Sequence, residues 1–573
     1  MQKESNAGLR WLAMCCAGLL VVLLALPATG RELPITPAQA AIASAHPLAT
    51  RAGREILLDG GNAFDAAVAV AAALAVVEPY SSGIGGGGFF LLHRAADAHE
   101  VMLDAREKAP GAATRNMYLD EAGNVIPGLS LNGPLAAAIP GLPAGLVLLS
   151  EKYGRLPLAR ALAPAISYAR EGFEVSERYR LMAKVRLEVL RKDPTTAGIF
   201  LAAGDPPASG VMLRQPALAE TLESMAAAGK AGFYAGPLAT RLVNGVRAAG
   251  GIWTLADLAA YTVVERAPLV GSFQGIRVVS APPPSSGGVA LLEALNQLEP
   301  HDLITLPQLT RTHLTIEAMR RAYRDRAEYL GDPDFVDIPV AKLISKAHAK
   351  EVSANLSLTA ATPSTSLRPI APPAQGDHTT HLSVLDAEGN RVAATLSINY
   401  PFGAAFTPPG TGVLLNDEMD DFSAKPNAPN GYGLVGVEAN AIAPGKRPLS
   451  SMTPTFVETP QRVGILGTPG GSRIISMVLL GVLAYSNGLP PADWVATPRF
   501  HHQYLPDEVL YEPAAFGPDL QAALAKLGHK LTRSDRDYGN MQAILWDRDQ
   551  QAVSAAADPR GEGTAEVFSV VPR

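Results

Sequence analysis

Cysteine is almost absent from this 573-residue chain. Two are present, Cys15 and Cys16, and both lie in an apolar segment near the N-terminus. The rest of the chain can therefore have no disulfide, no thiol nucleophile and no thiolate metal site. Charge is also sparse, at 18% of residues with a net charge of -6, and no block of one sign stands out. That excludes the basic footprint expected of a nucleic-acid binder. Several catalytic signatures are missing as well: G-x-S-x-G, H-E-x-x-H and paired C-x-x-C. No fixed-period repeat is visible. What remains is a globular composition, 47% hydrophobic, long enough for a large core.

The first 30 residues read as an export signal. Lys3 and Arg10 precede an apolar run from Trp11 to Leu26, and "PATG" then places the small residues Ala28 and Gly30 for cleavage near Gly30. A retained membrane anchor is the alternative, but the run is shorter than the ~20 residues that span a bilayer. The expected location is periplasmic or secreted, and export without disulfides fits a bacterial periplasm.

Beyond Pro37 the pattern is mixed α and β. "GGNAFDAAVAVAAALAVVE" predicts a buried Ala-rich helix, and helical patterns dominate from Gly141 to Ala249 and again near Leu309 to Leu330. Residues Ser353 to Gln375 are poor in large apolar side chains and hold four prolines, which predicts an extended, mobile linker. A β-hairpin is expected directly after it, from "TTHLSVLD" through "AEGN" to "RVAATLSIN". Alternation puts Thr379, His381 and Ser383 on one face of its first strand, and Thr395, Ser397 and Asn399 on one face of its second. A three-residue loop of Glu388, Gly389 and Asn390 would make the polar faces coincide, with Thr379 near Asn399, whereas a four-residue loop would oppose them. By pattern alone this is a solvent face.

Two glycine loops invite a functional reading. "GIGGGG", Gly83 to Gly88, satisfies G-x-G-x-x-G, but its order is helix, loop, strand, the reverse of a dinucleotide site. It reads as a place of close backbone packing. "VGILGTPGGSRIISMVLLGVL" runs strand, turn, helix, so the turn at Gly470 and Gly471 could aim N–H groups at a phosphate or an oxyanion. No P-loop lysine follows, and an ordinary tight turn fits equally well. "LLNDEMDDFS" supplies Asp417, Glu418, Asp420 and Asp421, either as a solvated turn or as a site for an ammonium group or metal. "KRPLSSMTP" offers Ser450 and Ser451 after two cations. Adjacent His501 and His502 would point to opposite faces of a strand and read as structural.

Taken together, these segments resemble the γ-glutamyltranspeptidase family. "TTHLSVLDAEGNRVAATLSINYPFG" is similar to its processing-site signature, and "LLNDEMDDFS", "KRPLSSMTPT", "GTPGGSR" and "PRFHHQYLPDE" follow in the family's order. Upstream, "GIGGGGFF", "DAREKAP", "IPGLPAGL" and "GGIWTLADLAAY" fit too. The resemblance implies an α/β (α+β) fold, the four-layer αββα sandwich of N-terminal nucleophile hydrolases, made as a precursor that cuts itself between His378 and Thr379. It divides the chain into a signal peptide (1–30), a large subunit (31–378) and a small subunit (379–573), the last two forming a heterodimer. It implies that Thr379 is the nucleophile, that Arg106, Ser450 and Ser451 hold the α-carboxylate of a γ-glutamyl group, and that Asn399, Glu418 and Asp421 hold its α-ammonium group. Gly470 and Gly471 would form the oxyanion hole, and Tyr432 a lid over the bound group. Ser397 stands where the signature usually has Thr; it keeps the hydroxyl but loses the methyl that restricts its rotamer.

The activity implied is that of a γ-glutamyltransferase and glutathione hydrolase needing no metal or organic cofactor. Its substrates would be glutathione and other γ-glutamyl compounds, with water, amino acids or dipeptides as acceptors. Two rivals stand beside it. One is a glutaryl- or cephalosporin-type acylase, whose substrates lack the α-ammonium group and would leave Glu418 and Asp421 without a partner. The other is a non-catalytic periplasmic binding protein.

Overall fold

Helix Ala63–Val77 shows how local chemistry sets the architecture. The Asn62 side chain accepts from the backbone N–H of Phe64 and Asp65, and Asp65 reaches back to the Asn62 N–H, a closed capping box. Every residue of this helix is buried. A helix apolar on all sides must be covered on all sides: helix Pro47–Leu58 lies along one flank and a β-sheet along another.

The computed structural model describes residues 36–367, 379–425, 430, 434 and 436–570. The expected signal peptide, His378 and Tyr432 lie outside the described residues. From Pro37 the chain is one compact unit, built on two large antiparallel sheets whose thirteen strands are numbered here in chain order. The first sheet contains β1 (Ala40–Ser44), β2 (Gly87–Arg94), β3 (His99–Ala105), β4 (Val264–Arg266), β7 (Thr380–Leu385), β8 (Arg391–Ser397) and β13 (Thr564–Phe568), in the order β13-β1-β7-β8-β2-β3-β4. The second contains β5 (Leu269–Phe273), β6 (Ile276–Ser280), β9 (Thr455–Glu458), β10 (Arg462–Gly467), β11 (Gln542–Asp547) and β12 (Ala552–Ala557), in the order β12-β11-β10-β9-β6-β5.

The sheets face each other through Leu91, Leu385, Phe456, Ile465 and Ile544. The opposite face of the first sheet, with Leu382, Val384 and Leu396, packs on the helices around Val68 and Leu74. The opposite face of the second, with Val278, Val457 and Leu466, packs on the helices around Leu291, Val478 and Trp494. This is the αββα sandwich, and the alternation of strand residues between its layers is what builds it.

The expected hairpin forms, with a corrected register. Leu385 pairs with Arg391 and Thr380 with Leu396, so Thr379 comes opposite Ser397 rather than Asn399. The loop is the three residues Ala387 to Gly389, one position earlier than expected. Asp386 closes it by accepting the N–H groups of Glu388 (2.9 Å) and Asn390 (3.0 Å). The polar faces coincide, as an odd loop requires, but they are not a solvent face. Both strands are wholly buried, and Ser383 Oγ donates to Gln542 O of the second sheet (3.2 Å). His381 lies between Thr395 and Ser383, and burial pushes its imidazole down to about 3, so it is neutral. Pattern alone misleads here because a second sheet, not water, covers the polar face.

Two further expectations meet the structure differently. The "GIGGGG" loop is a site of close packing: a Cβ on Gly85 would come within 2.1 Å of Leu414 O, and one on Gly86 within 2.1 Å of Ser397 O. The described part of the linker, Ser353 to Leu367, is anchored rather than mobile. Thr362 and Ser364 are buried, Arg320 donates to Ser364 Oγ (2.6 Å), Arg321 donates to Thr362 Oγ1 (3.0 Å), and Glu317 accepts the Thr362 N–H (3.1 Å).

Candidate active site

Thr379 precedes β7 in the middle of the first sheet, and its Oγ1 lies 3.4 Å from Ser397 Oγ on β8. The Asn399 N–H donates to Ser397 Oγ at 2.8 Å, which sets the Ser397 hydroxyl between that amide and Thr379. Asn399 has φ 73°, left-handed backbone that Asn tolerates better than most residues. Its Nδ2 donates to Asp417 O (3.0 Å), which orients the side-chain amide.

Arg106 follows directly on β3 and is fully buried. Its Nη1 donates to Glu418 Oε2 (2.5 Å) and lies 3.4 Å from Glu107 Oε2; its Nη2 donates to Asp421. Its Nε donates to Pro448 O (3.2 Å), which ties it to the segment carrying the serine pair. Glu418 and Asp421 meet the same guanidinium because Glu418–Asp421 is one turn of 3₁₀ helix, and that geometry eclipses positions i and i+3. The other two acids of the run turn away: Asp417 accepts the Tyr400 N–H (2.9 Å), and Asp420 accepts from Ser130 Oγ (2.6 Å).

The charges in this cluster do not balance, since Glu107, Glu418 and Asp421 share one guanidinium. Burial pushes the Glu107 carboxyl up to about 7 and raises that of Glu418 well above the usual carboxylate range, against the pull of Arg106. The neighbouring carboxylates drive Arg106 upward, so it stays charged. The cluster therefore holds protons that a bound cation could replace.

The serine pair completes the wall. Ser451 Oγ accepts from Arg326 Nη2 (3.2 Å), while Arg326 Nε donates to Ser286 Oγ (2.9 Å), which in turn donates to Ser450 O (2.6 Å). Arg326 is buried with two hydroxyl oxygens as partners, and desolvation lowers it to about 10. On the opposite side β10 runs into the turn at Gly470 and Gly471 and then helix Ile474–Ser486, the strand–turn–helix order expected from the sequence. With φ of 143° and 55°, both positions are ones that glycine adopts far more readily than other residues.

One small cavity gathers Arg106, Thr379, Ser397, Asn399, Glu418, Asp421, Ser450, Ser451 and Gly471. Gly470 lies with Thr379 on a second cavity, on the other side of the nucleophile candidate. Two participants escape the sequence reading. Glu107 carries a weak signal, as the neighbour of Arg106 in "DAREKAP". Arg326, in the charged helix Gln308–Tyr329, carries none, because such a run looks like a solvated face. His501 and His502 are structural, bonded to Ser476 and Asp507.

Comparison with known proteins agrees with this geometry. The γ-glutamyltranspeptidase family model matches residues 49–568. The chain is 45% identical over 519 residues to a glutathione hydrolase proenzyme of Pseudomonas sp. (strain A14), covering 90% of each. It is 43% identical to the glutathione hydrolase proenzyme of Escherichia coli (strain K12), covering 92% of this chain and 91% of that one. Among solved structures, a cephalosporin acylase from Bacillus halodurans superposes with a TM-score of 0.81 at 29% identity, covering 95% of this chain and 98% of that one. On these grounds the chain belongs to the γ-glutamyltranspeptidase family.

Proposed function

We propose that this enzyme, a γ-glutamyltransferase and glutathione hydrolase, works through Thr379 as a nucleophile that self-cleavage exposes. Thr379 Oγ1 attacks the carbonyl carbon of His378. The His378–Thr379 C–N bond breaks as a C–O ester bond forms, and water opens that ester. The freed α-amino group of Thr379, with an ordinary pKa of roughly 8, can then serve as the base that its amide precursor could not. In turnover the same oxygen attacks the γ-carbonyl of the donor. The γ-amide C–N bond breaks, the α-amino group passes the proton to the leaving amine, and a γ-glutamyl ester on Thr379 remains. Water or an amine then takes the acyl group and returns the proton to Thr379 Oγ1.

In this reading Arg106, Ser450 and Ser451 hold the donor's α-carboxylate, and Asn399, Glu418 and Asp421 hold its α-ammonium group. Gly470 and Gly471 stabilise the oxyanion, with Tyr432 as a lid. Residues 31–378 and 379–573 are the two subunits, and residues 1–30 direct the precursor to the periplasm or outside the cell. The subunits would be interleaved, because β7, β8 and β13 share a sheet with β1 to β4.

The observation that carries the reading is the excess of acid around Arg106. The cluster has a guanidinium for the donor's carboxylate and more carboxyl groups than that guanidinium neutralises, whose protons an ammonium group can replace, which matches the zwitterionic end of a γ-glutamyl donor. A glutaryl donor would bring a further negative charge and no cation. The acylase reading draws on the likeness to a cephalosporin acylase and on Arg106, which partners Glu418 and Asp421 without any ammonium group. The stoichiometry, three carboxylates to one guanidinium, still disfavours it.

The test is the intact mass of purified protein beside Thr379→Ala. Two wild-type fragments, the second beginning at Thr379, and an uncut mutant are expected. An uncut wild-type chain would lift the binding-protein reading above the enzyme.

A further inference from the structure

Three helices close on a separate group of ionisable side chains: Gly287–Leu298 brings Glu293, Gln308–Tyr329 brings Asp325, and Lys346–Val352 brings His348. All three side chains are buried, and one ligand atom from each lies within 4.8 Å of the others. His348 Nε2 is 2.6 Å from Asp325 Oδ2, while Arg324 pairs with the other Asp325 oxygen and with Glu328. Glu293 is fully buried, yet neither of its carboxylate oxygens has a hydrogen-bond partner among the described residues. His348 Nδ1 has none either, with the exposed Glu351 3.9 Å away. Gln297, one helical turn after Glu293 on the same face, leaves both its amide atoms unmet. Glu293, Asp325 and Glu328 against the single Arg324 leave a surplus of two negative charges. Burial, and after it the charge of Asp325, push the Glu293 carboxyl well above the usual carboxylate range, so without a cation it keeps a proton.

We infer that Glu293, Asp325 and His348 form a structural site for one divalent transition-metal ion of the zinc type, with the Gln297 amide oxygen as the candidate fourth donor. An imidazole nitrogen with carboxylate oxygens suits such an ion, and a divalent charge matches the surplus. The ion takes the place of the proton that Glu293 otherwise holds. A second group of histidines and acid, His313, Glu317 and His529, lacks this remainder, because Arg320 and Arg321 already pair with Glu317 and repel a cation. The site positions and does not catalyse. Asp325 directly precedes Arg326, which bonds Ser286 and Ser451, and Ser286 caps the helix that carries Glu293. An ion shared by the three helices fixes the layer behind the serine pair.

The experiment uses the untagged full chain, expressed with added Zn²⁺ so that the site loads as the protein folds, then dialysed against metal-free buffer. Elemental analysis counts zinc in wild type and in Glu293→Gln, His348→Gln and His529→Gln. Wild type and His529→Gln should retain about one equivalent. Glu293→Gln and His348→Gln should each fall below about a fifth of that, since a lost ligand costs more than the roughly 10- to 100-fold in affinity that an outer partner costs. Wild type prepared with a chelator and no zinc should melt several degrees lower than the loaded protein, and Glu293→Gln should show no such difference. If one of the two ligand variants fails to fold, the other carries the test. Zinc retained equally in every variant would be surface binding, and zinc retained in none would leave Glu293 neutralised by a proton alone; either result overturns the inference. No readout here depends on γ-glutamyl transfer, so the test stands whatever becomes of that reading.

Discussion

Two buried charge clusters in this protein use the same residue types in different proportion, one balanced and one not. Around Glu317 and Asp507, two carboxylates meet two guanidiniums: Arg320 pairs with both acids, and Arg321 pairs with Glu317, which accepts the Thr362 N–H as well. The Glu317 carboxyl is held down to about 2, with hydrogen bonds and charge outweighing burial. Around Arg106, one guanidinium meets three carboxylates, and Glu107 is pushed up to about 7. The first cluster ties the segment before the proposed cleavage point to helix Gln308–Tyr329 and is electrostatically closed. The second lies on a cavity beside Thr379 and is open. A structural cluster satisfies its ions internally; a binding cluster leaves a remainder for the ligand to complete.

The sharpest way to break this contrast is to remove the centre of each. Arg106→Gln should cut kcat/KM for a γ-glutamyl anilide by about a hundred- to thousandfold, because a buried charge-assisted contact is lost, while the acids left behind take up protons and the fold persists. Glu317→Gln should do the reverse. It leaves the buried Arg321 guanidinium without its counter-charge while Arg320 keeps Asp507, costing about 3–5 kcal/mol of stability. Denaturant melts beside steady-state kinetics on both variants check this; a similar stability loss in both would dissolve the distinction.

A smaller effect concerns pH. A ligand's ammonium group favours ionised carboxylates, so binding should tighten as pH rises through the Glu107 value of about 7 and level off above it. The inhibition constant of a non-hydrolysable γ-glutamyl analogue should fall several-fold from pH 5.5 to 8, and Glu107→Gln should flatten that profile. A wild-type profile already flat over this range would place no titrating acid at the site.

The smallest effect belongs to Ser397. Ser397→Thr restores a methyl that limits rotamer choice for the hydroxyl beside Thr379, and should speed self-cleavage by roughly the factor of 2–5 that a few tenths of a kcal/mol to about 1 kcal/mol allows. A time course of precursor disappearance measures it.

Much of the fold and site was legible in the sequence because their signals are local. The Ala-rich run after Asn62, the glycine turn at Gly470 and the acidic run from Asp417 each announce a local feature within a few residues. Failures came where a distant element decides. The polar face of Thr379, His381 and Ser383 is buried because β10 and β11 cover it, and nothing in the hairpin reports that. The linker looked mobile from composition, yet Thr362 and Ser364 are held by arginines some forty positions upstream. Arg326 reaches Ser451 across 125 positions of sequence, and only the folded helix shows it.

The account's central claim is that the acid-rich pocket beside Thr379 is completed by an ammonium group. Its most direct test is the ratio of kcat/KM for γ-glutamyl and glutaryl anilides with the processed wild-type enzyme. The account predicts a preference of about a thousandfold or more for the γ-glutamyl compound, the scale set by leaving buried charge unpaired. Equal rates, or a preference for the glutaryl compound, would contradict it and identify the protein as an acylase instead.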